Sequence, residues 1–297
     1  MKKFSIREIE CLTGIKAGTI RMWEQRYNLV VPKRTCTNIR YYDDCDLKRL
    51  LNISVLNSNG YKVSEIAQLS PAEINDAVGV FTEDSHNVCC QQQGLSKAMI
   101  NLDEYAFEKV VHTAILKMGF ENTMNTIVLP FFKKIGSMWQ TGAVTVAQEH
   151  FITHLVAQKI MVATEGQQLM PAEGAKKILL FLPEGEAHEI GLLYASYLLK
   201  ARGFQVVYLG RNVPVTDLST IAQQVAPHYA ITLLTSLLPV DLENFVHQIS
   251  NQLECPLIIS GQQVVGKLQS NSNILVMETI EEFTQFLAEI SVLSSVA

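Results

Sequence analysis

The sequence predicts a multidomain chain with three folded parts in series: a small helical head, a central helical bundle and a C-terminal α/β domain. Three observations carry this. After residue 173, short apolar runs alternate with helical patterns, which means a parallel sheet covered on both faces. From residue 96 to 165, apolar residues recur at spacings of three and four with glycines between the runs, the pattern of an antiparallel bundle. Residues 1–70 hold 12 Lys and Arg against 7 Asp and Glu, whereas residues 71–297 hold 12 against 22. The net charge of −5 therefore hides a basic head on an acidic body, and a basic head points towards nucleic acid.

A chain of 297 residues is long enough for two or three cores. Composition places the boundaries at 1–75 for the head, 76–95 for a linker, 96–172 for the bundle and 173–297 for the α/β domain. No apolar run approaches about 18 residues, so no membrane span is expected. The start, Met1-Lys2-Lys3-Phe4-Ser5, lacks the apolar core of a signal peptide, and a cytoplasmic location is expected. The six cysteines (Cys11, Cys36, Cys45, Cys89, Cys90 and Cys255) form no Cys-x-x-Cys pair and no zinc spacing, which reads as reduced thiols. Cys89-Cys90 reads as a solvated pair in the linker.

In the head, Ser5 caps a helix from Ile6, with Glu8 at the spacing of a capping box. Ile6, Ile9 and Leu12 make one apolar face. Thr13-Gly14-Ile15 turns the chain into a second helix, from Lys16 or Ala17 to Tyr27, and two short helices across a glycine turn read as helix-turn-helix. Thr19-Ile20-Arg21-Met22-Trp23-Glu24-Gln25-Arg26-Tyr27-Asn28-Leu29 is followed by Pro32-Lys33-Arg34-Thr35 and Asn38-Ile39-Arg40-Tyr41-Tyr42. This run resembles the winged helix-turn-helix head of MerR-family regulators, whose pattern is Arg-x-Trp-Glu-x-Arg-Tyr, Pro-x-Arg-Thr, Arg-x-Tyr. Asn28 and Asn38 replace two family glycines, and Asn is the next most tolerant residue for a left-handed backbone. The resemblance implies that the second helix enters the major groove of operator DNA, with Lys16, Thr19 and Arg21 reaching bases or nearby phosphate. It implies that Arg26, Arg34, Arg40 and Tyr42 hold the phosphate backbone, which sets register without reading sequence. Trp23 and Tyr27 read as core. Asp43-Asp44-Cys45-Asp46 caps a third helix, Leu47 to Asn57, ended by Gly60, and a fourth short helix runs from Val63 to Leu69.

Thr82 to Gly94 is polar, with Gln91-Gln92-Gln93-Gly94, and reads as linker. Helices are expected over 97–118, 121–138 and 143–165, a bundle of four-helix type. Trp139, nine further residues and then Glu149-His150 match a Trp-x9-Glu-His motif, with Val146 one turn before His150. The spacing resembles the helical cap of cobalamin-dependent photoreceptor regulators of the CarH/LitR type. By that resemblance Trp139 and Val146 lie over the upper face of the cofactor, while Glu149 and His150 bond its adenosyl ribose. Read from the residues alone, Trp139 serves equally as bundle core and Glu149-His150 as a solvated pair. Gln140 stands where the light-sensing members carry a His that takes cobalt after photolysis. An amide is a poor cobalt ligand; His150 and His154 are the other imidazoles at hand.

Past residue 173 the strands are Ile178–Leu182, Gln205–Leu209, Tyr229–Thr235, Pro256–Ser260 and Ile274–Met277. Helices are expected over Ala187–Arg202, Thr216–Val225 and Asp241–Leu253, and from Thr279. Five parallel strands suit a flavodoxin-like (Rossmann-type) order, which places ligands at the carboxyl ends of the strands. Glu186-Ala187-His188-Glu189-Ile190-Gly191 lies there, directly after the first strand. A neutral imidazole is a good ligand for a late first-row metal, and a carboxylate two residues earlier can fix its tautomer. Glu-x-His-x-x-Gly resembles the signature of cobalamin-binding domains, in which the His is the lower axial ligand of cobalt. That implies metal ligation by His188, with Glu186 and Gly191 beside it. Ser236-Leu237-Leu238 fits the family's Ser-x-Leu, which bonds the base of the buried nucleotide tail through Ser236 next to Leu238. Ser260-Gly261 stands for a Gly-Gly pair along the tail's passage.

Taken together, the chain reads as a cobalamin-dependent transcription factor, a repressor that is not an enzyme. The resemblance implies adenosylcobalamin as cofactor, double-stranded operator DNA as partner, a homo-oligomer (dimer or tetramer) and a response to light. One alternative keeps the head but makes the C-terminal module vestigial, taking another ligand or only oligomerising, as Gln140 and Ser260 would favour. A corrinoid methyl carrier or mutase subunit is the other, and the DNA head argues against it. Gly-x-Gly-x-x-Gly and a P-loop lysine are both absent.

Overall fold

The computed structural model describes residues 3–35, 38–58, 60–82, 88–140, 144–167, 174–236 and 241–292; within them the side chains of Cys11, Asp44, residues 79–82, residues 137–140 and Val292 are not described. The chain divides into two compact units, Met1–Leu155 and Val156–Ala297. The division falls before the expected boundary at 172/173, inside a helix.

In the first unit, α1 (Ile6–Thr13) starts at the expected capping box and ends at Gly14 in a left-handed conformation. Helix α2 (Ala17–Tyr27) ends at Asn28, with φ of 50°. Strands β1 (Lys33–Arg34) and β2 (Arg40–Tyr41) pair antiparallel across a turn in which Asn38 has φ of 63°. Both asparagines thus hold the positive φ that the replaced glycines would have supplied. Phe4 bridges Tyr42 in the same antiparallel sense, so the start of the chain lies along the hairpin. Ile9, Leu12, Ile20, Trp23, Leu47 and Leu50 are buried and form the core of the head.

Helix α3 (Asp44–Ser58) begins three residues earlier than expected, because Asp43 itself is the cap: its Oδ1 accepts from the backbone N–H of Cys45 and of Asp46. Helix α4 (Val63–Ile66) is a single turn. Helix α5 (Pro71–Thr82) is absent from the sequence expectation, although its signal is local. Ser70 Oγ accepts from Glu73 N while Ser70 N donates to Glu73 Oε2, and Pro71 occupies the first helical position.

The linker expected over 76–95 is a second correction. Helix α5 occupies its first part, and α6 (Val88–Asn101) runs through Gln91-Gln92-Gln93-Gly94. Cys90, Gln91 and Gln93 are buried, so Cys89-Cys90 is not a solvated pair, though Cys89 is exposed. Glutamine is a good helix former, and its amide is tolerated inside because a partner is provided: Gln93 Nε2 donates to Ser54 Oγ on α3.

The helix expected over 97–118 is broken at Leu102 (φ 53°), and Asp103 caps a new helix, α7 (Glu104–Met118). Helix α8 (Phe120–Thr123) passes through a π-helical turn, Met124–Val128, into α9 (Leu129–Gln140). The widened turn ends two residues before Pro130, whose missing N–H interrupts the i→i−4 ladder. Helix α10 (Val146–Glu165) is capped by Thr145, which exchanges hydrogen bonds with Gln148.

The second unit holds β3 (Lys177–Pro183), α11 (Ile190–Ala201), β4 (Gln205–Val213), a 3-10 turn (Val215–Asp217), α12 (Leu218–Val225) and β5 (Tyr229–Leu233). There follow α13 (Leu242–Ser250), β6 (Leu257–Ser260), β7 (Ile274–Val276) and α14 (Ile280–Val292). The strands lie in the order β4-β3-β5-β6-β7, all parallel, the flavodoxin-like order. Residues 178–183 are all buried, as a strand covered on both faces requires. Two register shifts between β3 and β4 carry β4 past Gly210 and Asn212, both at positive φ, beyond the expected end at Leu209.

Candidate functional site

The residues expected at DNA fall into three groups. Lys16, Arg21, Arg26 and Arg34 are exposed, and Thr19 is partly so. Lys16 lies 3.5 Å from Glu10 Oε1. Arg34 and Arg40 have local duties as well: Arg34 Nη1 donates to Asn38 Oδ1 at 2.7 Å, and Arg40 Nε lies 3.7 Å from Glu24 Oε2. Tyr42 differs from its expected role. It is fully buried, and its hydroxyl donates to Glu24 Oε1. Burial, with the Glu24 carboxylate next to it, pushes its pKa well above the ordinary tyrosine value. Its ring belongs to the core and is not presented to a phosphate.

In the second unit, the loop between β3 and α11 carries Glu186 and His188. Helix α11 starts at Ile190, not at the expected Ala187, because Glu186 holds the loop open: its Oε1 accepts from His188 N at 2.8 Å. The same oxygen lies 2.8 Å from His188 Nδ1 and accepts from Ser236 Oγ at 2.9 Å. Oε2 accepts from the backbone N–H of Thr235 at 2.5 Å and of Ser236 at 2.7 Å, past the end of β5. Glu186 is wholly buried. Burial pushes its pKa up, but the hydrogen bonds from His188, Ser236 and Thr235 outweigh this and hold it at about 2. An ionised carboxylate facing Nδ1 makes that nitrogen the protonated one, so the basic lone pair of the neutral ring is on Nε2.

Ser236 was expected at the nucleotide tail. Here its hydroxyl lies 3.0 Å from His188 Nδ1 and bonds Glu186, which makes it part of the support for the imidazole. Leu238 lies outside the described residues. Gly191 packs against β5: a Cβ there would meet Leu233 Cδ2 at 3.3 Å. Gly261 has φ of 116°, and a Cβ would fall 2.3 Å from the carbonyl oxygen of Leu234. Ser260 Oγ donates to the carbonyl of Met277 at 2.6 Å, which turns this small side chain towards the end of β7.

Sequence reasoning missed a second cluster next to His188. Glu189 accepts from the Tyr208 hydroxyl at 2.9 Å and lies 3.0 Å from Arg211 Nε, which ties the loop to the bulged end of β4. Burial, then the Glu189 carboxylate, pushes the Tyr208 hydroxyl far up. The signal was present, since Glu189 is inside the motif, but its partners lie 19 and 22 positions away.

The four cap residues lie in the first unit. Trp139 is on the last turn of α9, with its side chain outside the description. Val146, 51% exposed, starts α10; Glu149 is partly buried and His150 exposed, with its ring centroid 6.3 Å from that of His154.

The residues around His188 suit axial ligation of a corrin cobalt. A half-exposed imidazole is held through Nδ1 by a buried anion, which fixes the tautomer and raises the basicity of Nε2.

Residues 4–73 match the model of the MerR HTH family regulatory protein, and residues 91–163 match that of a B12 binding domain. The chain is 26% identical over 250 residues to the HTH-type transcriptional repressor CarH of Myxococcus xanthus, covering 82% of each. It is 27% identical over 267 residues to the HTH-type transcriptional repressor CarA of the same organism, covering 86% of this chain and 85% of the relative. The head alone is 35% identical over 69 residues to the HTH-type transcriptional regulator MlrA of Escherichia coli, 23% of this chain and 28% of that one. A monomethylamine corrinoid protein of Methanosarcina barkeri superposes with a TM-score of 0.53 at 17% identity, over 66% of this chain and 96% of that one, a likeness of fold. The chain joins a MerR helix-turn-helix head to a B12-binding domain and is homologous to the CarH and CarA transcriptional repressors.

Proposed function

We propose that this protein is a transcriptional repressor that binds operator DNA through its head and a cobalamin, in the adenosyl form, through His188. The observation that carries the cofactor assignment is the Glu186–His188–Ser236 network: an anion pinned by three backbone N–H groups and a hydroxyl holds one tautomer of a half-exposed imidazole. His188 Nε2 would hold the cobalt. Trp139, Val146, Glu149 and His150 are the residues of the first unit that would bind the cofactor, and Gly261 would leave room for its nucleotide tail where the chain passes close to Leu234. When bound, adenosylcobalamin supplies a light-labile cobalt–carbon bond. In the head, Lys16, Thr19 and Arg21 reach bases or nearby phosphate from the major-groove helix, while Arg26, Arg34 and Arg40 grip backbone phosphate, the last two from the hairpin acting as a wing.

Regulation requires that the cofactor bind the DNA-competent assembly of this chain more tightly than the other states. A homo-oligomer, dimer or tetramer, provides such an assembly. Gln140 offers an amide, which cobalt binds poorly, so His150 and His154 are the imidazoles of the helical cap that could hold cobalt in its place.

The test is an absorption spectrum after incubation with adenosylcobalamin in the dark, desalting and illumination. Retained colour, lost in His188→Ala with the head still folded, supports the assignment. A colourless wild-type protein after desalting overturns it and leaves a regulator whose C-terminal unit takes another ligand or only oligomerises. A spectral change on illumination together with a change in oligomer size supports the light response; a spectral change alone makes the protein a cobalamin sensor.

A further inference from the structure

Between the start of α1, helix α2 and the β1–β2 hairpin lies a cleft of about 400 Å³. It is lined by Ser5, the cap of α1, by Ile6 and Arg7 on its first turn, by Arg21 from α2, and by Asn38, Ile39 and Arg40 from the hairpin. Three arginines line it, and among the described residues no Asp or Glu does. Glu24, whose side chain is almost wholly buried, meets Arg40 Nε and the Tyr42 hydroxyl. Glu8, the other carboxylate next to the cleft, is engaged by the backbone N–H of Ser5 in the capping box, so two carboxylates stand against three arginines and the cleft stays cationic. The planar fork of a guanidinium matches the paired oxygens of a phosphate, and several forks converging on one cleft favour a shared anion over separate ones. The remaining wall is unlike a free-ion site: Ile39 is 63% exposed at the rim, an apolar surface next to the charges.

We infer that this cleft holds one backbone phosphate of double-stranded DNA, gripped by Arg7 together with Arg21 and Arg40, with Ile39 against the adjoining deoxyribose. Arg7 lies on α1, outside both the recognition helix and the hairpin, and the motif that marks the head does not include it. The inference rests on the DNA-binding reading of the head and adds a contact that fixes how α1 sits on the duplex. A phosphate contact sets register and carries no base information, so Arg7 contributes equally on operator and non-operator DNA.

The experiment is fluorescence anisotropy of the full-length protein with a short mixed-sequence duplex across a salt series. Each phosphate neutralised adds about 0.9 to the slope of log K against log salt. Arg7→Ala is expected to weaken binding several-fold at low salt and to flatten the slope, while Arg7→Lys retains part of both. Because the arginines share one phosphate, Arg7→Ala with Arg21→Ala is expected to lose no more than about 0.9 in slope; two separate phosphates would lose about 1.8. Both changed residues are exposed, and a thermal melt checks the fold. An unchanged slope and affinity in Arg7→Ala, with wild-type protein binding the duplex, overturns this site alone. Wild-type protein that binds no duplex overturns the DNA-binding reading and the site with it. Binding of inorganic phosphate that Arg7→Ala abolishes, with DNA affinity and salt slope unchanged in that variant, would make the cleft a free-phosphate site and overturn the DNA assignment.

Discussion

Gln93 on α6 donates to the hydroxyl of Ser54 on α3 at 2.9 Å, and that hydroxyl donates in turn to the carbonyl of Thr13 at 3.0 Å. All three residues are buried. Thr13 is at the turn between the two helices of the head, so a buried polar relay joins that turn to the first helix beyond α5. Ser54→Ala removes the centre of the relay and is expected to cost about 1–3 kcal/mol, read from urea unfolding. Ser54→Ala combined with Gln93→Leu should cost clearly less than the sum of the single changes, because each disables the same bond. Strict additivity would show the relay to be energetically idle.

Tyr42 separates a core role from a DNA role. Tyr42→Phe removes only the hydroxyl that donates to the Glu24 carboxylate. The expected outcome is a loss of about 1–3 kcal/mol in stability, with the salt slope of DNA binding unchanged. A flattened slope in a fully stable variant would return Tyr42 to the phosphate backbone.

Glu186→Gln tests the support of the imidazole. Its amide nitrogen would face hydrogen-bond donors in place of an acceptor, since the native carboxylate accepts from three backbone N–H groups, the Ser236 hydroxyl and the His188 ring. A destabilisation of about 3 kcal/mol is expected, with cobalamin affinity reduced about 10- to 100-fold, measured by titration at fixed pH. Native affinity in the variant would mean that the ring needs no anion behind it.

The two glycines of the site should respond differently to alanine. At Gly261 the new Cβ overlaps the Leu234 carbonyl at 2.3 Å and the backbone is at positive φ, so Gly261→Ala is expected to cost several kcal/mol or to prevent folding. At Gly191 the contact is a movable Leu233 methyl at 3.3 Å on a helix that gains from alanine, and the change should stay within about 1 kcal/mol. Thermal melts of the pair decide it; equal losses would refute the close-approach account of Gly261.

Cys255 provides a pH signature. Burial raises its thiol to about 11, so the fold favours the protonated form; that stabilisation is present at neutral pH and is lost as pH rises from about 9 through about 11. At pH 8 its thiolate fraction is about 100-fold below that of an ordinary thiol. Iodoacetamide labelling followed by mass spectrometry should modify exposed Cys45 and Cys89 first and Cys255 only on unfolding. Equal rates at the three would contradict the burial.

What the sequence by itself determined is what neighbouring residues decide among themselves. The Ser5–Glu8 capping box, the left-handed asparagines, the five apolar strand runs and the position of His188 at the end of the first strand are all short-range, because caps, turns and hydrophobic period depend on a few adjacent residues. The Ser70–Pro71–Glu73 start of α5 was equally local and legible, and was passed over for the polar composition around it. Only the tertiary structure decided where polar groups find partners. The glutamines of α6 read as linker until α3 supplied Ser54; Tyr42 read as a surface contact until Glu24 took its hydroxyl; the bond of Ser236 to Glu186 spans 50 positions and is not visible in the sequence. Gly261 owes its identity to the Leu234 backbone, 27 residues away. A polar side chain carries no mark of burial in the sequence: whether it stays in water or enters the core depends on a partner, and chain folding brings that partner from a distance.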